Sequence, residues 1–119
     1  MTSNVTMQGV NSLGYVRGKI LTSLDVEDLV LMSINTNKLP FLDSGVYFLV
    51  TAPDVYQSDT LNISEGFCYD FCGWHFSSAL EQNASGMWNT VTKYNAKTAR
   101  YLKFAYVGDP SLCSSACVF

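Results

Sequence analysis

The sequence predicts an α+β fold, a small mixed or largely antiparallel sheet backed by one main helix. Three observations carry this. Residues 23–35 repeat apolar positions at helical spacing behind an acidic first turn. Residues 46–51, Val-Tyr-Phe-Leu-Val-Thr, form an unbroken β-branched and aromatic run. Residues 74–78 and 100–107 add two further strand-like runs. At 119 residues, 48% apolar and 14% charged, the chain is at most one domain and has enough apolar surface to bury a core.

Residues 1–12 are polar and without period, and are expected to form a flexible arm ahead of a single domain over residues 13–119. Residues 15–21 follow Gly14, contain Gly18, and read as a short strand or turn. Thr22 and Asp25 match a capping box with Asp in place of Glu, and Glu27 and Asp28 extend the acidic start. Leu24, Val26, Leu29, Val30, Leu31 and Ile34 then continue a helix over Ser23–Asn35. Asn37 and Pro40 end it.

Residues 45–51 are apolar on both faces, so an interior strand covered on both sides is expected. Ala52-Pro53-Asp54 turns the chain, and the polar residues 55–65 predict an exposed loop. Residues 67–72 predict a bend closed by cysteines. In residues 80–99, Met87, Trp88, Val91 and Tyr94 hint at helical spacing, while Gly86 and several Asn and Thr oppose it. An excursion with one helical turn is expected there. After the last strand, Asp109 caps a short helical turn that begins at Pro110.

The net charge of −3 and the lack of a basic run leave no electrostatic footprint for nucleic acid. The longest apolar run, residues 46–50, falls far short of the ~20 residues of a membrane span. Two C-x-x-x-C pairs, Cys68 with Cys72 and Cys113 with Cys117, stand beside three N-x-S/T sequons at Asn4, Asn62 and Asn83. Paired cysteines with three candidate glycosylation sites favour the secretory route. Residues 1–10 show neither a basic n-region nor an apolar h-region, so no signal peptide is visible, and a piece of a longer secreted protein is the expected reading.

The cysteines have two chemistries available. With His75 they offer thiolate and imidazole ligands to zinc, but structural zinc sites favour C-x-x-C knuckles. Disulfides are therefore expected, with no metal and no other cofactor. Sequence leaves three pairings open. The local pairs Cys68–Cys72 and Cys113–Cys117 are favoured, since an i to i+4 bend brings Cα atoms within the ~4.4–6.8 Å a bridge requires.

His75 is the only histidine. It reads first as a structural hydrogen-bonding group beside Trp74, and His75 and Trp74 are the candidate cleft residues. A Cys72–His75 nucleophile pair needs a free thiol, which the even cysteine count opposes. No spacing among the carboxylates selects the facing pair of a glycosidase. Tyr69, Phe71, Trp74, Phe76 and Trp88 read as packing before they read as a sugar-stacking platform.

Taken in order, these stretches resemble the EXORDIUM-like, or phosphate-induced, family of secreted plant-type proteins. The residues that carry the resemblance are the helix start Leu-Thr-x-x-Asp-Val-x-Asp-Leu (residues 21–29), Val-Tyr-Phe-Leu-Val-Thr-Ala-Pro-Asp-Val (46–55) and Gly-Phe-Cys-x-x-x-Cys-Gly-Trp-His (66–75). Phe-Ala-Tyr-Val-Gly-Asp-Pro (104–110) and Cys113-x-x-x-Cys117 complete the series. Asp109 and Ser114 stand where the family usually has Asn and Pro, and the family's long C-terminal portion has no counterpart. The resemblance implies a secreted, non-enzymatic protein of the apoplast or cell wall, linked to growth regulation. Its partner would be an extracellular protein or a cell-wall glycan. The fold implied is part of a zincin-like α/β domain. Two alternatives accompany it: the N-terminal part of a zinc-metallopeptidase-like protein without its catalytic helix, and a carbohydrate-binding module.

Overall fold

Thr22 sets the start of the only α-helix among the residues that the computed structural model describes, which are 6–92, 100–113 and 117. Its side chain accepts from the Asp25 N–H at 3.2 Å, and the Asp25 carboxylate accepts from the Thr22 N–H at 2.9 Å. Two donors at the helix start are thereby satisfied, and α1 runs over Ser23–Asn35 as the capping box predicts. The helix ends where Asn37 adopts a left-handed φ of 62°. The N–H groups of Asn37 and Lys38 then close on the Ile34 and Ser33 carbonyls, a Schellman ending. Val26, Leu29, Val30 and Ile34 are buried, whereas Leu24 faces solvent, contrary to its place in the expected stripe.

Helix α1 packs on one face of a four-stranded mixed sheet. The strands are β2 (Tyr47–Thr51), β4 (Gly73–Gln82), β5 (Trp88–Thr90) and β6 (Arg100–Gly108), in the order β2-β6-β4-β5. Strand β2 runs parallel to β6, and both other pairings are antiparallel. A separate parallel pair joins β1 (Ile20–Leu21) to β3 (Tyr56–Gln57). The α+β expectation and the three strands foreseen at 46–51, 74–78 and 100–107 hold. The zincin-like domain gains no support from this arrangement.

Three sequence expectations change. Strand β2 is an edge strand, not an interior one, and Phe48 and Val50 on its outer face are 65% and 70% exposed. An apolar run signals avoidance of polar side chains, but it does not supply a covering layer. Residues 55–65 are not wholly an exposed loop, since Val55, Gln57 and Ser58 are buried. Gln57 is buried because its amide is used: its Oε1 accepts from the Trp74 indole N–H at 2.8 Å. Residues 80–92 form no helical turn. Strand β4 continues to Gln82, a turn closes through Gly86 at a φ of 89°, and β5 returns. Tyr94 of that expectation lies outside the described residues.

The core lies between α1 and the inner sheet face, around Leu80, Leu102, Phe104 and Tyr106. Trp74 stacks on Tyr106 with ring centroids 6.2 Å apart and meets Phe104 edge-on at 5.8 Å. Phe67 closes one end, edge-on to Tyr106 at 5.6 Å. Gly108 makes room for it, since a Cβ there would lie 2.5 Å from the Phe67 ring. Asp109 caps the short 3-10 turn Pro110–Leu112, as expected. No helix among the described residues is long and apolar enough to cross a membrane.

Candidate functional site: a disulfide brace and an open sheet face

Residues 66–72 are a tight loop held by its own backbone. The Gly66 carbonyl accepts from the N–H groups of Tyr69 and Asp70, and the Gly66 N–H donates to the Asp70 carboxylate at 2.8 Å. Gly66 has a φ of 86°, and a Cβ there would lie 2.2 Å from the Gln57 carbonyl oxygen. Only glycine fits a left-handed residue pressed this closely on another backbone. The Phe67 N–H in turn donates to the Gln57 carbonyl at 2.9 Å, which anchors the loop beside β3.

The loop is bolted to the segment after β6. Cys68 is bonded to Cys113 and Cys72 to Cys117, each across 45 residues of sequence, with Cα separations of 5.4 and 5.3 Å. The four cysteines form disulfides as expected, but the local pairs Cys68–Cys72 and Cys113–Cys117 do not form. The first cysteine of each pair bonds to the first of the other, and the second to the second. Equal spacing fits either scheme, and the tertiary register decides between them. No thiolate is left for a zinc site or for a Cys72–His75 pair.

Trp74 and His75 are neighbours on β4 and therefore point to opposite faces of the sheet. Trp74 is part of the core. His75 sits on the outer face, where Ala105 of β6 lies between it and Phe48 of β2. Beside this row, Val50 of β2 is opposite Val107 of β6. The outer face is thus an exposed apolar patch with an imidazole at one side and Lys103 and Ser77 further along. Patches of this kind mark contact surfaces on soluble proteins.

The sugar-platform residues do not form one exposed face, although Trp74 and Phe76 both meet Phe104. Trp74 is turned inward, and Trp88 stacks on Phe41 with centroids 4.4 Å apart. A groove of about 450 Å³ between α1 and β5 includes Trp88, Asn35 and Asp28, and a depression of about 310 Å³ is lined by Asp43, Arg100, Tyr101 and Lys103. His75 lines neither.

One charged cluster was missed by sequence reasoning. Asp54 accepts from the Tyr15 hydroxyl at 2.9 Å and pairs with Lys19 at 3.0 Å, tying the approach to β1 onto the turn after β2. The Lys19 and Tyr15 hydrogen bonds lower the Asp54 pKa below its ordinary value, and the same carboxylate raises those of Lys19 and Tyr15. Burial raises the Tyr106 pKa, opposed in part by its hydrogen bond with Thr51. Of the sequon asparagines, Asn62 and Asn83 are exposed in loops, and Asn4 lies outside the described residues.

No protein-family model and no solved structure matches the chain. Among curated proteins it is similar to "Protein EXORDIUM-like 3" of Arabidopsis thaliana, with 26% identity over 113 residues. The alignment covers 92% of this chain and 27% of that relative, so the chain spans about a quarter of the relative's length. Similarity across nearly the whole chain, with the ordered motifs from the helix start to the second cysteine pair, supports an EXORDIUM-like family relationship.

Proposed function

We propose that the chain acts outside the cell as a secreted, non-enzymatic protein of EXORDIUM-like type, linked to growth and working by contact with another extracellular protein. The paired bridges Cys68–Cys113 and Cys72–Cys117 carry this reading. Such bridges form and persist in oxidising compartments and are rare in the cytosol. The relative's name supports the family part. A contact role is favoured over catalysis because the sole imidazole lies on an open apolar face and all four sulfurs are bonded. A protein partner is favoured over a glycan because that face centres on the apolar Phe48, Val50 and Val107, while Trp74 and Trp88, the strongest stacking side chains, pack against the core.

The test is fractionation of the protein from its own cells, followed by thiol titration without reduction. Recovery from the extracellular fluid with no reactive thiol is the expected result. A cytosolic protein with four reactive thiols overturns the proposal.

A further inference from the structure

We propose that Asn62 and Asn83 are N-glycan acceptors, and that their glycans leave the outer face of the sheet bare. This rests on the extracellular reading above. A sequon alone is a weak signal, and the side-chain geometry strengthens it.

In each sequon the asparagine Oδ1 is occupied by donors of its own turn. Asn62 Oδ1 accepts from the Ser64 N–H at 2.9 Å. Asn83 Oδ1 accepts from the Ser85 N–H at 3.0 Å, the Ser85 hydroxyl at 2.8 Å and the Met87 N–H at 3.0 Å. These bonds use Oδ1 and leave Nδ2 uncommitted. Both residues are exposed, and among the described residues nothing accepts from either Nδ2.

Other asparagines behave differently. Asn11 donates its Nδ2 to Ser33, Asn35 to the Trp88 carbonyl, and Asn89 to the Met87 carbonyl. A glycan on any of these three would be attached to a nitrogen already engaged within the fold. A glycan on Asn62 or Asn83 would not be.

The positions suit a carbohydrate. Asn62 lies between the exposed Leu61 and Ile63, an apolar pair that a glycan would shield. Asn83 opens the turn between β4 and β5, at the tip of a hairpin. Phe48, Val50, His75 and Val107 occupy the outer sheet face, and no described sequon falls there.

The chemistry is a group transfer. The co-reactant is a polyprenyl-diphosphate-linked oligosaccharide, and an oligosaccharyltransferase supplies the base. Nδ2 forms a bond to the anomeric carbon. The bond from that carbon to the diphosphate oxygen breaks, its electron pair leaves with the polyprenyl diphosphate, and the amide gives up one proton.

The test places a cleavable secretion leader ahead of the whole chain in a eukaryotic host, in an Asn4→Gln background. Material is taken from both medium and cells, so that poor export does not hide occupancy. The expected result is two mobility steps removed by peptide-N-glycosidase, one lost in Asn62→Gln and one in Asn83→Gln. Ser64→Ala and Ser85→Ala, which keep each asparagine, must reproduce the losses. Absence of either step overturns the assignment at that site. Because the leader forces entry into the secretory route, failure here is separate from failure of native secretion.

Discussion

Asn35 grips Trp88 by its backbone at two points. The Asn35 Nδ2 donates to the Trp88 carbonyl at 2.9 Å, and its Oδ1 accepts from the Trp88 N–H at 2.8 Å. The last residue of α1 therefore pairs with β5 as a neighbouring strand would. Two net hydrogen bonds of this kind contribute about 1–3 kcal/mol. Asn35→Ala should lower stability by that amount in urea unfolding, with rapid amide exchange confined to residues 88–90. A loss under about 0.5 kcal/mol, typical of a plain surface change, would sink this account.

Phe48 and Phe104 make a contrasting pair on adjacent strands. Phe48 faces outward, while Phe104 is buried against Trp74. Phe104→Ala should cost about 3–5 kcal/mol, the range for emptying a core aromatic site. Phe48→Ala should cost under about 1 kcal/mol in the isolated protein, and it should raise solubility. Equal losses at the two positions would mean that the outer face is covered in solution.

The bridges should not contribute equally when removed in turn. In the loop-entropy picture a bridge across 45 residues contributes about 4 kcal/mol. With it in place, the second closes a ring of only about eight residues and adds about 2.5 kcal/mol. Replacing either pair by alanines should therefore cost about 2.5 kcal/mol, and replacing both about 6.5 kcal/mol. Two local bridges would instead give two equal, additive losses of about 2 kcal/mol. Peptide mapping without reduction distinguishes the same two cases directly.

The Tyr15–Asp54–Lys19 cluster sets a pH dependence. Its carboxyl has a lower pKa in the folded chain than in the unfolded one, so its stabilisation is present above about pH 4. It is lost as pH falls through the folded value. The raised Lys19 and Tyr15 values act in the opposite sense, and their contributions fade as pH rises through them in the alkaline range. Thermal unfolding should show wild type above Asp54→Asn at pH 7, with the two converging at low pH. A constant gap down to pH 2 would rule out the carboxylate as the cause.

Local chemistry made much of this fold readable. Thr22 and Asp25 fix the helix start through bonds only three residues apart, and Asp109 with Pro110 does the same for the last turn. Strand β5 was hidden because it is only three residues long with Asn89 at its centre, and part of its hold comes from Asn35, more than fifty residues away. The same distance problem hides Gln57, a polar residue in a polar stretch whose burial depends on Trp74. Cysteine pairing and the edge position of β2 are likewise decided by what the tertiary fold brings alongside. For the candidate site, sequence identified the cysteines, sequons and histidine. The alternation of β4, with Trp74 inward and His75 outward, shows that the two cleft candidates do not share a cavity.

Strand β6 is the last strand among the described residues and sits between β2 and β4. A ribosome releases β2 and β4 long before the strand that must lie between them, so neither can complete its pairing while the chain emerges. Cys68 and Cys72 likewise appear well ahead of both their partners. During that interval they are each other's nearest thiols, and an early oxidation would join them wrongly. On the extracellular reading proposed above, a thiol–disulfide exchange catalyst would undo such a Cys68–Cys72 bridge once residues 100–117 arrive. Slow oxidation should help this protein fold, and a strong oxidant should trap it.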